Sequence, residues 1–115
     1  MNYVAHICET FSELSDEIAG IMGDAPKFED KLGYFVDMDI DKVFLGFEKS
    51  LTVLRSKLGE ERYARMLALS REARAHFEAD PDDSNGRTDQ GLDCLLAIND
   101  LLNDAWRRKP RTNLD

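Results

Sequence analysis

Four acidic residues in the stretch VDMDIDKVFLGFE have the spacing of a calcium-binding loop. Counted from Asp37, the residues Asp39 and Asp41 stand at positions three and five, and Glu48 stands at position twelve. These are ligand positions of an EF-hand, which also needs a sharp turn at position six that glycine provides. Lys42 occupies that sixth position, where its Cβ resists the turn and its ammonium group repels a cation.

The start of a helix explains the same acids better. From Ile40 to Leu58 apolar residues recur at steps of three and four, which predicts an unbroken amphipathic helix that begins inside the supposed loop. Asp39 or Asp41 is suited to accept the first backbone N–H groups of that helix, and Gly59 to end it. Asp37 is expected to remain a solvated charge, and we expect no calcium site.

Two histidine–glutamate pairs could in principle bind a metal. His6 and Glu9 are three residues apart, and Glu72 and His76 are four apart, each pair on a predicted helix. Paired helices of this kind build di-iron centres inside bundles, but those centres use the order Glu-x-x-His, which neither pair has. The apolar stripes of both helices run through other residues. We therefore expect no metal and no cofactor.

Nucleophilic chemistry has little support in the sequence. Cys8 and Cys94 are far apart and lie in apolar helical patterns, where a buried and reduced thiol is the usual state. Burial suppresses thiol reactivity. The chain also has no glycine-rich phosphate loop, no nucleophile elbow and no metalloprotease motif. These observations predict a protein that is not an enzyme.

Helical periodicity recurs in four segments, from about Tyr3 to Gly23, Ile40 to Leu58, Tyr63 to Phe77 and Thr88 to Trp106. The stretch DPDDSNGRTD is rich in turn residues and predicts a loop before the last helix. Residues near 27–38 form a short segment that is either helical or extended. The sequence thus predicts an all-α fold, an antiparallel bundle of four main helices.

The chain length of 115 residues fits one domain, predicted to span residues 1–109, with residues 110–115 as a short flexible tail. No apolar run reaches the eighteen residues of a membrane span, and the N-terminus lacks the basic leader and apolar stretch of a signal peptide. We therefore expect a cytoplasmic protein without a membrane association.

The charge is strongly negative and unevenly distributed. The whole chain carries a net charge of −8, and residues 1–106 contain 22 acidic against 11 basic residues. Nucleic-acid phosphates and anionic lipids are repelled by such a body, whereas a basic protein is attracted. We expect no direct binding to nucleic acid. The alternative role of the charge is solubility alone.

A row of aspartates lies along the predicted last helix, on the side opposite its apolar residues. Those apolar residues include Leu92, Leu95 and Leu96. Asp89, Asp93, Asp100 and Asp104 recur at steps of four, seven and four, and Asp80, Asp82 and Asp83 precede them in the loop. Like charges four residues apart destabilise a helix by roughly 0.2–0.5 kcal/mol per pair. The row is either a solvated face or a docking stripe for a basic partner.

The helix from Ile40 carries Leu45 and Val53 outside its main apolar stripe, so it is either central in the bundle or covered by a partner. Together these features predict a non-catalytic acidic protein-binding domain. Its most concrete form is an immunity or antitoxin-type inhibitor that neutralises a basic partner protein such as a toxin. The alternative is a helical adaptor or homo-oligomeric regulatory domain whose interface is this helix.

Overall fold

The computed structural model describes residues 3–29, 32–33 and 37–108, and every regular element among them is a helix. The helices are α1 (Phe11–Asp24), α2 (Ile40–Val53), the single turn α3 (Arg55–Leu58), α4 (Glu60–Glu78) and α5 (Arg87–Arg108). The prediction of an all-α bundle with four main helices is confirmed. The predicted tail of residues 110–115 lies outside the described residues.

Helix α1 begins eight residues later than the sequence pattern predicts. Thr10 has an extended backbone and its side-chain oxygen accepts the backbone N–H of Glu13 at 3.1 Å. The Glu13 carboxylate in turn accepts the backbone N–H of Glu9 at 3.2 Å. This reciprocal capping resembles a capping box, and it makes Phe11 the first residue of the helix. Apolar periodicity therefore continued into residues that are not helical.

The segment of residues 3–10 lies along α2 and is attached to it by polar contacts. The backbone N–H of Cys8 donates to the Ser50 hydroxyl at 2.8 Å, in the buried interior. The backbone N–H of Tyr3 donates to the Asp37 carboxylate, also at 2.8 Å. At Gly46 the two backbones approach so closely that an added Cβ would overlap the side chain of Ala5. Glycine is required at this crossing.

The start of α2 confirms the helix-start interpretation of the acidic stretch. Asp39 is the N-cap, and its carboxylate accepts the backbone N–H of Lys42 at 2.9 Å. Asp37 is not the solvated charge expected, since it binds the N-terminal segment and the Lys42 ammonium group at 3.1 Å. Asp41 and Glu48 pair with arginines of α4. The four supposed calcium ligands thus have separate partners.

The predicted continuous helix from Ile40 to Leu58 is interrupted. Leu54 has φ −91° and ψ 2°, outside the helical values, and divides the segment into α2 and α3. Leu54 and Leu58 are both buried, so the bend directs two leucines into the core. Gly59 then ends α3 with φ 86°, a left-handed value that favours glycine, and α4 starts at the next residue.

One hydrophobic core receives residues from all five helices. Its centre contains the aromatic rings of Phe28, Phe44 and Phe77, whose centroids are 5.5 to 6.2 Å apart. Phe28 lies between α1 and α2, is fully buried and has a φ of 54°, which is unfavourable for a residue with a side chain. Burial among aromatic rings offsets that strain and holds the connection in place.

Helices α4 and α5 form the most extensive pair and run antiparallel. Near the end of α4, Phe77 packs against Gly91 at the start of α5, where an added Cβ would overlap the ring. At the opposite end Arg62 of α4 binds Asp104 of α5. In the part of the chain that the structure describes, no helix has both the length and the apolarity needed to cross a membrane.

Candidate functional site

The outer face of α5 carries three exposed carboxylates. The inner side of this helix is buried through Leu95, Ile98 and Leu102, whereas Asp89, Asp93 and Asp100 point to solvent. These are the residues that the sequence analysis placed on a stripe, and they share one face, as predicted. None of the three side chains forms a hydrogen bond or an ion pair with a described residue.

Leu96 lies on the same outer face, within the acidic row. Its apolar character predicts a place on the buried side of the helix, but its side chain is 48% exposed. It follows Asp93 by three residues and precedes Asp100 by four, so it is the helical neighbour of both. We call Asp89, Asp93, Leu96 and Asp100 the α5 face.

Asp104 extends the row but is already paired. Its carboxylate accepts two hydrogen bonds from Arg62, at 2.7 and 3.1 Å, and one from Arg108 at 3.1 Å. These bonds, those of Arg62 first, lower the pKa of Asp104 below its ordinary value. The residue joins α4 to α5 and stands at the edge of the α5 face.

Asp80 is buried and stabilises a loop, so it does not belong to the acidic surface. Its carboxylate accepts the backbone N–H groups of Ser84, Asn85 and Thr88 at 2.7 to 3.2 Å, and it is buried. Burial raises the pKa of Asp80, but these hydrogen bonds outweigh that effect and the pKa is lowered overall. Asp80 therefore orders the loop before α5, and we separate it from the six other acids. Asp82 and Asp83 are exposed in that loop.

A second group of side chains meets between α4 and α5, beside the α5 face. Glu72, His76 and Cys94 each direct one potential ligand atom to a common point, and these atoms all lie within 4.8 Å of one another. The group lines a surface cleft of about 330 Å³. Glu72 and His76 are neighbours on one helix by their spacing alone, but only the packing of α5 against α4 adds the thiol of Cys94.

The other predicted pair does not form as expected. His6 and Glu9 belong to the non-helical segment before α1, so they do not share a helix face. His6 instead pairs with Glu13 at the start of α1. The two-helix metal site that would combine both histidine pairs is therefore not built.

The side chains around Cys94 do not activate it as a nucleophile. Burial raises the pKa of the Cys94 thiol, and the negative charges of Glu72 and Asp93 raise it further. Arg87 Nε donates to His76 Nδ1 at 2.8 Å, which leaves the ring proton on Nε2. A nitrogen that carries a proton cannot accept one from the thiol. Burial likewise raises the pKa of Cys8.

An apolar cleft of about 520 Å³ lies along α2. Leu45 and Val53 line it and are 52% and 51% exposed, so this side of α2 is not central in the bundle. Ile7 of the N-terminal segment and Leu67 of α4 complete the apolar part of the wall. The cleft is separate from the α5 face.

No protein-family model, no curated protein and no solved structure matches this chain.

Proposed function

We propose that this protein is a non-catalytic acidic binding domain that neutralises a basic partner protein through the α5 face. The proposal rests on one observation, the three exposed carboxylates of Asp89, Asp93 and Asp100 that have no partner among the described residues. The carboxylates of the α5 face can therefore form intermolecular ion pairs, and no internal ion pair has to break first.

The pairing of five other acids supports this choice. Arginines and lysines of the described chain bind Asp37, Asp41, Glu48, Glu60 and Asp104. The α5 face has no such compensation, and its carboxylates repel one another along the helix. A basic partner would relieve this repulsion on binding, which gives a favourable electrostatic term that the isolated protein lacks.

Leu96 gives the surface an apolar centre. Interfaces depend on a few buried anchors surrounded by polar contacts, and a half-exposed leucine flanked by carboxylates has that arrangement. We expect the partner to place an apolar pocket over Leu96 and lysines or arginines beside Asp93 and Asp100. Asp82, Asp83 and Asp104 then stand at the rim.

The most concrete version of the proposal is an immunity or antitoxin-type inhibitor. A toxin that cleaves nucleic acid needs a basic cleft for its polyanionic substrate, and a small protein with a net charge of −8 would be steered into it. The inhibitor would act stoichiometrically in the cytoplasm, without binding nucleic acid itself and without a cofactor. It would not be an enzyme.

The experiment is a binding titration against the purified products of the genes adjacent to this one, at several salt concentrations. We expect one of them to form a 1:1 complex that weakens steeply between about 50 and 500 mM NaCl, because salt screens exposed charges. Asp93→Lys with Asp100→Lys should weaken that complex at least about a hundredfold, since like charges then face each other.

A matched control changes the net charge equally at another place. Glu9→Lys with Asp16→Lys alters exposed acids of the N-terminal segment and α1, and should weaken binding only through the reduced overall charge. Leu96→Ala tests the anchor and should slow association little while it speeds dissociation. If both double variants bind equally, or if no adjacent product binds, the proposal is wrong.

The second candidate function is a helical adaptor or homo-oligomeric regulatory domain. The exposed leucine and valine of the α2 cleft favour it, because apolar surface of this kind often marks an interface. Light scattering at low and high salt separates the two functions. A monomer at both salts supports the α5 face, whereas a salt-resistant dimer that Leu45→Glu dissociates supports the α2 cleft.

A further inference from the structure

We propose that Glu72, His76 and Cys94 form a binding site for one divalent transition-metal ion of the zinc type. The residues come from two helices, and their ligand atoms converge within 4.8 Å in a solvent-accessible cleft. This inference does not depend on the proposed function of the α5 face.

The donor set determines the class of metal. A thiolate, an imidazole nitrogen and a carboxylate oxygen favour Zn²⁺ or Co²⁺ over the harder Ca²⁺ and Mg²⁺, which prefer oxygen ligands alone. On binding, the ion would displace the Cys94 thiol proton to solvent. The resulting thiolate and the Glu72 carboxylate together carry two negative charges, which balance the charge of the ion. Three protein ligands leave one tetrahedral position for water or for another molecule in the cleft.

The geometry requires only a small closure. Ligand atoms around a tetrahedral zinc ion are about 3.5 Å apart, given metal–ligand distances near 2.0 to 2.3 Å. Within the group, His76 Nε2 and Glu72 Oε1 are 3.9 Å apart. The Glu72 side chain is 60% exposed and can change rotamer freely, while Cys94 is held in the core by α5.

Arg87 occupies the opposite side of the imidazole and competes with the ion. A neutral histidine has one lone pair, and Arg87 Nε uses it at Nδ1, so the proton on Nε2 faces Glu72. A metal on Nε2 would replace that proton, the ring would carry its proton on Nδ1, and Arg87 would turn away. Removal of Arg87 should therefore strengthen metal binding.

The test uses the full chain, treated with a chelator and kept reduced, and titrated with Co²⁺ and then Zn²⁺. We expect one equivalent of Co²⁺ to give a thiolate-to-metal charge-transfer band and the visible bands of a tetrahedral site, which Zn²⁺ then removes. Cys94→Ser should abolish the charge-transfer band. Cys8→Ala is the matched control, because it removes the other buried thiol and should leave the band unchanged.

Two further variants keep the proposal testable if Cys94→Ser folds poorly. Glu72→Gln changes an exposed side chain and should weaken Zn²⁺ binding about 10- to 100-fold, as measured by competition with a chromophoric chelator. Arg87→Ala should tighten it several-fold, whereas an adventitious surface site would not respond. A wild-type titration without the charge-transfer band, or a band that persists in Cys94→Ser, overturns the assignment.

Discussion

The start of α2 and the outer face of α5 each carry three closely spaced aspartates, but in different surroundings. Asp37 accepts a backbone N–H group of the N-terminal segment, Asp39 caps the helix, and Asp41 pairs with an arginine of α4. The aspartates on α5 have no such contact with a described residue. The same residue type therefore stabilises the fold in one region and remains available for binding in the other.

Spacing alone does not distinguish an acid that is paired within the chain from one that is exposed and unpaired. Both rows look unusual in the sequence, one as a calcium loop and one as a charged stripe. The difference is whether a donor of the same chain lies within hydrogen-bonding distance. If it does, substitution should reduce stability, and if it does not, substitution should change association and leave stability nearly unaltered.

The largest expected effect is at the junction of the N-terminal segment and α2. Ser50→Ala removes the acceptor of the buried Cys8 N–H and should lower the free energy of unfolding by about 1–3 kcal/mol. Urea denaturation measures it. Thr52→Ala is the control, because its hydroxyl is exposed and its removal should change stability by less than about 0.5 kcal/mol. That hydroxyl donates to the Glu48 carbonyl at 3.1 Å and lies 3.3 Å from the Tyr63 hydroxyl of α4. Equal losses in both variants would contradict the assigned role of Ser50.

The next effect compares one aspartate from each region. Asp39→Ala removes the N-cap of α2 and should cost about 1 kcal/mol of stability. Asp93→Ala should cost nothing or stabilise by several tenths of a kcal/mol, since alanine is the better helix former. Thermal or urea unfolding decides between them. A loss in Asp93→Ala as large as in Asp39→Ala would mean that Asp93 has an internal partner.

A smaller effect of opposite sign is expected on α5. Asp93→Lys replaces repulsion from Asp89, four residues away, by attraction, and should stabilise the protein by about 0.5 kcal/mol. The gain should shrink in high salt because the pair is exposed. Asp93→Asn only removes the repulsion, so it should give about half of the stability gain of Asp93→Lys. A destabilised Asp93→Lys protein would show that the face is not merely a row of repelling charges.

The smallest effect concerns acid sensitivity at the edge of the α5 face. Arg62 and Arg108 lower the pKa of Asp104 below its ordinary 3.8, so the unfolded chain binds the proton more readily. The stabilisation is complete above pH 3.8 and is lost as the pH falls through the folded pKa. Asp104→Asn should therefore flatten the acid limb of the stability curve slightly. An acid limb equal to that of the wild-type protein would contradict the pairing.

Much of the fold was predictable because local chemistry decides it. The Asp39 cap, the loop rich in turn residues and the last helix up to Trp106 follow from helix propensity and capping. The N-terminal segment was predicted wrongly, because Ile7 and Cys8 continue a helical period although a non-helical segment brings them against α2. Val4 also fits that period but is 83% exposed. An apolar pattern therefore does not specify which backbone conformation achieves burial.

The candidate sites were predictable only in part, for a related reason. The exposed row of Asp89, Asp93 and Asp100 follows from helical geometry, which fixes which side chains share a face. The buried role of Asp80 was missed, since it depends on backbone N–H groups four to eight residues away in an irregular loop. The approach of Cys94 to His76 was missed because it depends on how α5 packs on α4.

The sequence by itself determined four helical regions, an aspartate cap at the start of α2 and the charge of the α5 face, since these depend on neighbours within about one helical turn. Tertiary structure alone decided which carboxylates found a donor on another element and which thiol meets a histidine. The physical reason is distance, because hydrogen bonds and metal ligands require atoms a few ångströms apart. Residues far apart in the chain reach that distance only through packing.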